Sequence, residues 1–172
     1  MPAVNRLYLV GPMGAGKTTI GKLLADELGL EFVDVDREIE ARSGVDIPWI
    51  FDREGEAGFR VRESAALAEL SQLDRVLIST GGGAILSADN RRMMAATGTV
   101  IYLHTSVDEQ VRRTGRDRKR PLLQNDDPAR VLAELMGIRE PLYREIADII
   151  VDTDGRGPKT VAQDIAEQLM LL

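Results

Sequence analysis

The chain of 172 residues contains no cysteine, only one histidine, and too few cations to offset its acidic side chains, so its net charge is −6. Without cysteine there can be no disulfide, thiolate metal site or cysteine nucleophile. Net negative charge argues against broad nucleic-acid binding, which needs a basic surface. No apolar run approaches the ~18 residues of a membrane span, and the first strand begins too early to leave room for a signal peptide. We therefore expect a cytoplasmic protein that binds neither nucleic acid nor membrane.

The remaining composition is ordinary, with 44% hydrophobic and 29% charged residues. Such a composition is typical of a globular chain. The sequence shows no repeat, linker or low-complexity tract, so we expect one domain over residues 1–172.

A phosphate-binding loop follows the first predicted strand. Leu7–Val10 is continuously apolar, as in a buried strand, and Gly11-Pro-Met-Gly-Ala-Gly-Lys-Thr18 completes the pattern G-x-x-x-x-G-K-[ST]. Apolar residues at helical spacing come next, so the loop opens a helix whose N-terminus favours anions. Lys17 is expected to reach the β- and γ-phosphates of a nucleotide, and Thr18 to ligate Mg²⁺. The predicted nucleotide contacts on this loop are Gly14, Ala15, Gly16, Lys17, Thr18 and Thr19.

Strands and helices alternate along the rest of the chain. Further strands are predicted at 30–35, 75–80, 99–103 and 148–152, which indicates a parallel sheet covered by helices on both faces. Asp34 and Asp36 are expected to share one side of the end of the second strand, before a helix at 38–43. Gly81–Gly83 follows the third strand. Because ligands bind at the carboxyl ends of such strands, these residues should face one crevice with the phosphate loop.

Local signals suggest interruptions in two helices and a mobile segment. Gly55 and Gly58 are expected to interrupt the third helical stretch, and Pro141 to break or kink the helix that starts near residue 129. The cation-rich segment at about 114–128 is predicted to be a lid that brings Arg120 onto the γ-phosphate.

A phosphate loop alone does not distinguish kinases from switches. Asp52-Arg-Glu-Gly55 matches the D-x-x-G of a GTPase, but no guanine-reading motif follows. The third strand ends without a carboxylate, so Asp34 is the nearest candidate to support Mg²⁺. The arginine-rich lid favours a kinase, since phosphoryl transfer needs cations and exclusion of water.

Six segments of the chain form a specific combination, in a fixed order and over nearly the whole length. They are the phosphate loop, Phe32-Val-Asp-Val-Asp36, Ile50-Phe-Asp-Arg-Glu-Gly-Glu-Ala-Gly-Phe-Arg60 with Glu63, Thr80-Gly-Gly-Gly83, Arg120-Pro-Leu-Leu123 and Arg139-Glu-Pro-Leu-Tyr143. Together these segments resemble shikimate kinase. The resemblance implies a three-layer α/β/α P-loop kinase fold with strand order 2-3-1-4-5. It also implies ATP-dependent phosphorylation of the 3-hydroxyl of shikimate, in aromatic amino-acid biosynthesis.

The resemblance also assigns roles to individual residues, with a substrate-binding segment at about 36–63. Arg60 and Arg139 are expected to clamp the shikimate carboxylate, a task that suits a guanidinium fork. Asp36 should hold the substrate hydroxyls and is a candidate to accept a proton. The implied catalytic residues are Lys17, Asp36 and Arg120; Phe59, Gly81, Gly82 and Gly83 join the substrate site, Arg113 and Pro158 contact adenine, and Thr18 and Asp34 hold the metal ion.

Two alternatives remain open at this point. A kinase for another carboxylated substrate, such as gluconate, would also use Arg60 and Arg139. A regulatory module that binds nucleotide without transferring phosphate is disfavoured by the intact set of charged residues. The expected oligomeric state is a monomer. His104, the single histidine, has no obvious partner in the sequence, and we expect no function for it.

Overall fold

In a computed structural model, which describes residues 4–114 and 127–172, the sheet has five parallel strands in the order β2-β3-β1-β4-β5. The expected α/β/α fold with strand order 2-3-1-4-5 is confirmed. Among the described residues no helix combines the length and apolar character needed to cross a membrane. The elements are β1 (Arg6–Val10), α1 (Lys17–Leu28), β2 (Glu31–Asp34), α2 (Val35–Ser43), α3 (Ile47–Leu70), β3 (Val76–Ser79), a 3₁₀ turn (Ala84–Leu86), α4 (Ala88–Thr97), β4 (Thr99–His104), α5 (Val107–Thr114), α6 (Pro128–Ile146), β5 (Ile149–Asp152) and α7 (Pro158–Met170).

The central strand β1 is buried on both faces, which explains its unbroken apolar sequence. Leu7 and Leu9 pack into one core with residues of α1 and α7. Tyr8 and Val10 point the other way, into a second core with residues of α2, α3, α4 and α6. Each fully buried leucine stabilises the fold by about 1.5–3 kcal/mol relative to an exposed one. The two cores hold β1 rigidly, and with it the loop that leaves its carboxyl end.

The end of β2 corrects the expected placement of the two aspartates. Asp34 ends the strand, and its Oδ1 accepts hydrogen bonds from the amides of Asp36 (2.9 Å) and Arg37 (3.3 Å). This N-cap starts α2 at Val35, three residues earlier than expected. Asp36 therefore lies in the first turn of a helix, and the expectation that both carboxylates share one side of a strand end was wrong.

Glycine and proline disturb their helices less than their local chemistry suggests. In α3 the backbone leaves helical geometry only at Gly55, where φ is 73° and ψ is 178°. The interruption expected at Gly55 is thus confirmed, and the one expected at Gly58, which stays helical, was wrong. Helix α6 continues through Pro141, so of the expected break or kink the break was wrong, and the kink stays a prediction. Buried residues on both sides of Pro141, among them Arg139 and Tyr143, anchor α6 and offset the lost hydrogen bond. The predicted lid at about 114–128, including Arg120, lies almost entirely outside the described residues.

Candidate active site

The phosphate loop joins the end of β1 to the start of α1. Gly16 is the N-cap of α1, with a left-handed φ of 87° and no side-chain cap, so the first amides of the helix keep their donors for a ligand. Gly11 has a φ of 151°, and a Cβ there would lie 2.6 Å from the carbonyl oxygen of Leu103 on β4. The loop can therefore pass close to the neighbouring strand only because this position is glycine.

Lys17 folds back over the phosphate loop. Its Nζ donates to the carbonyl oxygens of Gly11 at 2.7 Å and Pro12 at 2.9 Å. These contacts hold the ammonium beside the loop amides, where an anionic ligand would also be bound. The loop thus combines a fixed cation with a helix N-terminus, as phosphate binding requires.

Next to this loop, Thr18 and Asp34 place two hard oxygen donors side by side. The Thr18 hydroxyl donates to Asp34 Oδ2 at 3.3 Å, while Oδ1 of the same carboxylate caps α2. The described residues contain no cluster of three side chains able to hold a metal ion alone. The pair fits Mg²⁺, which binds through one or two protein oxygens and otherwise keeps water and phosphate oxygens.

Charged side chains converge on the glycine turn after β3, at the same edge of the sheet. A Cβ on Gly81 would lie 3.2 Å from both Asp36 Oδ1 and Glu63 Oε2. On Gly82 it would lie 3.2 Å from Arg139 Nη1, and on Gly83 it would overlap the Arg60 guanidinium. We call Gly81, Gly82 and Gly83 the glycine turn. Because these residues have no side chains, four charged groups from three helices can meet around the turn.

The two arginines of this cluster are held differently. Arg60 donates from Nη1 to Glu63 Oε1 at 2.9 Å and from Nη2 to Glu56 at 3.2 Å. Arg139 is only 4% exposed. Among the described residues, Nε of each arginine is buried without a hydrogen-bond partner. Buried donors of this kind normally find an acceptor, so the pair is suited to an oxyanion.

Burial governs the ionisation of the same cluster. Glu63 is 1% exposed, and burial, opposed by Arg60 and reinforced by Asp36, raises its pKa to about 7. Burial also lowers the pKa of Arg139. For Arg60 burial acts in the same direction, but Glu63 and Glu56 outweigh it and raise the pKa. Partial protonation of Glu63 leaves less negative charge beside the two guanidinium groups, which favours an acidic ligand.

Phe59 forms an apolar wall beside Arg60. Its ring is 4% exposed and packs against Phe51, with ring centroids 4.9 Å apart. The Arg60 guanidinium carbon lies 5.2 Å from the Phe59 ring centroid. The ring thus supports the guanidinium from one side, and it belongs to the core as much as to the site.

A separate cavity of about 330 Å³ opens beside the phosphate loop, between α5 and the start of α7. Arg113 lines it and donates to Glu109 at 2.8 Å, to the carbonyl of Gly14 at 3.0 Å and to that of Thr153 at 3.1 Å. Pro158, the first residue of α7, lines the same cavity. A flat guanidinium and a proline ring facing one cavity are suited to a planar base.

The structure therefore brings most of the predicted site residues to one edge of the sheet, in three adjoining regions. Arg120 lies outside the described residues. Sequence reasoning missed the supporting groups: Glu109 and Thr153, which hold Arg113, and Tyr143, whose hydroxyl donates to the Gly82 carbonyl at 2.6 Å. Glu109 had a detectable signal, since it stands four residues before Arg113 on one helix face. Thr153 is 40 residues from Arg113 in the sequence, and Tyr143 is 61 residues from Gly82, so neither contact has a local sequence signature.

Comparison with known proteins decides the family. The family model described as Shikimate kinase matches residues 13–170. A shikimate kinase of Hahella chejuensis is 60% identical over 167 residues, which cover 97% of this chain and 87% of that protein. The chain belongs to the shikimate kinase family.

Solved shikimate kinases share the fold closely. The enzyme from Acinetobacter baumannii, determined in complex with shikimate, has 48% identity and a TM-score of 0.95, covering 98% of this chain and 94% of that one. The shikimate kinase of Aquifex aeolicus has 36% identity and a TM-score of 0.83, with 96% of each chain covered. The resemblance first drawn from the motifs is thereby confirmed along nearly the full length.

Proposed function

We propose that this chain transfers the γ-phosphoryl group of ATP to the 3-hydroxyl of shikimate, giving ADP and shikimate 3-phosphate for aromatic amino-acid biosynthesis. The observation that carries the proposal is the cluster around the glycine turn. Arg60, Arg139 and Asp36 meet there at the sheet edge that also carries the phosphate loop. This arrangement would hold a polyhydroxylated carboxylic acid beside the phosphate that it accepts.

The carboxylate of shikimate would be bound by Arg60 and Arg139. Both side chains are largely buried, so a carboxylate between them would form charge-assisted hydrogen bonds away from water. Glu63, bonded to Arg60 at 2.9 Å, fixes the direction of that guanidinium. Phe59 and the backbone of Gly81–Gly83 would line the part of the site that holds the shikimate ring.

ATP would occupy the phosphate loop and the neighbouring cavity. The loop amides and Lys17 are placed for the phosphates, and Arg113 with Pro158 for the adenine. Thr18 and Asp34 would hold Mg²⁺, the first directly and the second directly or through water. When bound, the ion would neutralise charge on the β- and γ-phosphates.

In the transfer step the bond between the γ-phosphorus and the β–γ bridging oxygen breaks, and a bond forms to the 3-oxygen of shikimate. Lys17 would stabilise the charge that develops on the phosphate oxygens. Asp36 would orient the 3-hydroxyl and accept its proton, and in a loose transition state orientation matters more than basicity. The contribution expected of Arg120 to the same charge stays a prediction.

A substrate panel tests the proposal. ADP release would be measured with ATP and Mg²⁺ in the presence of shikimate, shikimate methyl ester, gluconate or no acceptor. We expect strong release with shikimate and, because the ester carries no charge for the arginines, at least about tenfold lower kcat/KM with the ester. Release with gluconate but not shikimate would assign another acceptor, and ATP binding without acceptor-dependent release would indicate a regulatory module.

The expected cytoplasmic location and monomeric state remain predictions. Size-exclusion chromatography with light scattering would measure the oligomeric state directly. A single species near the 18.9 kDa chain mass is the expected result, and a stable species of twice that mass would contradict it.

A further inference from the structure

One hydroxyl connects the glycine turn to the helix that carries Arg139. Tyr143 lies on α6, 1% exposed, and its O–H donates to the carbonyl oxygen of Gly82 at 2.6 Å. Tyr143 follows Arg139 by four residues, so both side chains project from the same face of the helix. Gly82 thus lies beside both side chains, since a Cβ on it would lie 3.2 Å from Arg139 Nη1.

The hydrogen bond also sets the direction of a backbone donor. The Gly82 carbonyl and the Gly83 N–H belong to one planar peptide, in which they point in opposite directions. Fixing the carbonyl on Tyr143 therefore directs the Gly83 N–H away from α6. A glycine turn has wide conformational freedom, and an external bond is the means to hold it in one orientation.

The tyrosine ring is itself firmly placed. It stacks on Tyr102 of β4, with centroids 4.9 Å apart and an interplanar angle of 25°. The Tyr102 hydroxyl donates to Glu140 at 2.7 Å, and Glu140 also accepts from Arg144 at 2.9 Å. Burial raises the pKa of Tyr143, so its phenol stays protonated and able to donate.

We propose that Tyr143 is a positioning residue for the acceptor. Its hydroxyl fixes the orientation of the Gly82–Gly83 peptide relative to Arg139, so that the peptide and the guanidinium can bind the same acid. The inference rests on the proposed function, because the acid concerned is the shikimate of that proposal. Tyr143 itself does not touch the reacting atoms. Its effect should therefore appear in acceptor binding and leave nucleotide binding unchanged.

The chain supplies a matched control. Tyr8 is also fully buried, and its hydroxyl makes an equally short bond of 2.6 Å, to Thr97 at the opposite end of the sheet. Tyr143→Phe and Tyr8→Phe each remove one buried hydroxyl and keep the ring. If both hydroxyls are purely structural, the two variants should show the same acceptor kinetics. If the Tyr143 hydroxyl positions the acceptor, only Tyr143→Phe should change those kinetics.

The experiment compares steady-state kinetics and thermal unfolding of the wild type and both variants. For Tyr143→Phe we expect the KM for shikimate to rise about five- to tenfold, as loss of one oriented hydrogen bond implies, with the KM for ATP within about twofold. Tyr8→Phe should leave both constants unchanged. Shikimate titration by calorimetry gives a second measure, with the Kd shifting in parallel with KM.

The outcomes separate this inference from the function on which it rests. An active wild type with an unchanged shikimate KM in Tyr143→Phe overturns the positioning role alone. Equal rises in the KM values for ATP and shikimate would also overturn it, since they indicate general loosening. A wild type that releases no ADP in response to shikimate overturns the proposed function, and the inference with it.

Discussion

Glu63 should make the folded protein less stable as pH rises, and Glu63→Gln should remove that dependence. The side chain is 1% exposed, and burial, opposed by Arg60, raises its pKa from the usual 4.5 to about 7. In the unfolded chain the carboxyl ionises near its usual pKa. Between these two pH values the folded state binds more protons than the unfolded state, so the free energy of unfolding falls with rising pH.

The two pKa values set the size of the effect. One pKa unit corresponds to about 1.4 kcal/mol, so between pH 5 and pH 8 the wild type should lose about 2–3 kcal/mol relative to Glu63→Gln. Glutamine has nearly the same shape and cannot ionise. Titrating groups that do not contact residue 63 are shared by both proteins and cancel from the difference, and the two neighbouring arginines stay protonated throughout this pH range.

Urea unfolding followed by circular dichroism, at one-unit steps from pH 5 to pH 8, measures this difference. Glu54→Gln is the matched control, because Glu54 also lies on α3 and pairs with an arginine, Arg62, at 2.7 Å, but at the surface and with a lowered pKa. The control should gain no stability relative to wild type as pH rises. A Glu63→Gln difference that stays constant across the range would refute the reasoning.

Four further predictions concern substrate binding and packing. Arg60→Ala should raise the shikimate KM about 10- to 100-fold with little change in kcat, by loss of charged hydrogen bonds; an unchanged KM would remove it from the clamp. Arg113→Ala should raise the ATP KM about tenfold, whereas Arg92→Ala, which removes a 72% exposed arginine of α4 that does not line the cavity, should stay within about twofold; equal effects would contradict the role of Arg113. Gly98→Ala should lower the free energy of unfolding by about 1–3 kcal/mol, because its Cβ would lie 2.7 Å from a carbonyl oxygen of β1. Gly137→Ala, in open space on α6, should raise it by about 0.5–1 kcal/mol, and a loss in urea unfolding would contradict that.

Features that depend on neighbouring residues could be predicted from the sequence. The strand, the glycine loop and the helix of 7–28 form one continuous pattern, and the alternation of elements then limits the topology to a parallel sheet. The start of α2 was misplaced although its cause is local. Val33 and Val35 favoured a longer strand, while the Asp34 carboxylate caps the helix immediately.

Features that depend on distant residues could not be predicted in this way. Helix α6 passes through Pro141 because tertiary contacts override the local penalty. His104 lies near two carboxylates: Asp152 at 3.4 Å, because β4 and β5 end side by side, and Glu140 at 3.7 Å, because α6 packs against β4. The expectation that it lacks a partner was therefore wrong. Tyr143 and Gly82 likewise meet only in the folded chain.

The most direct test of the central claim is a phosphorus NMR spectrum of wild-type protein incubated with ATP, Mg²⁺ and shikimate. We expect the signals of ATP to be replaced by those of ADP and by one phosphate monoester signal, coupled to the proton on carbon 3 of shikimate. Inorganic phosphate formed alongside ADP in place of an ester, or an ester at another carbon, would contradict the proposed placement of shikimate between the glycine turn and the phosphate loop.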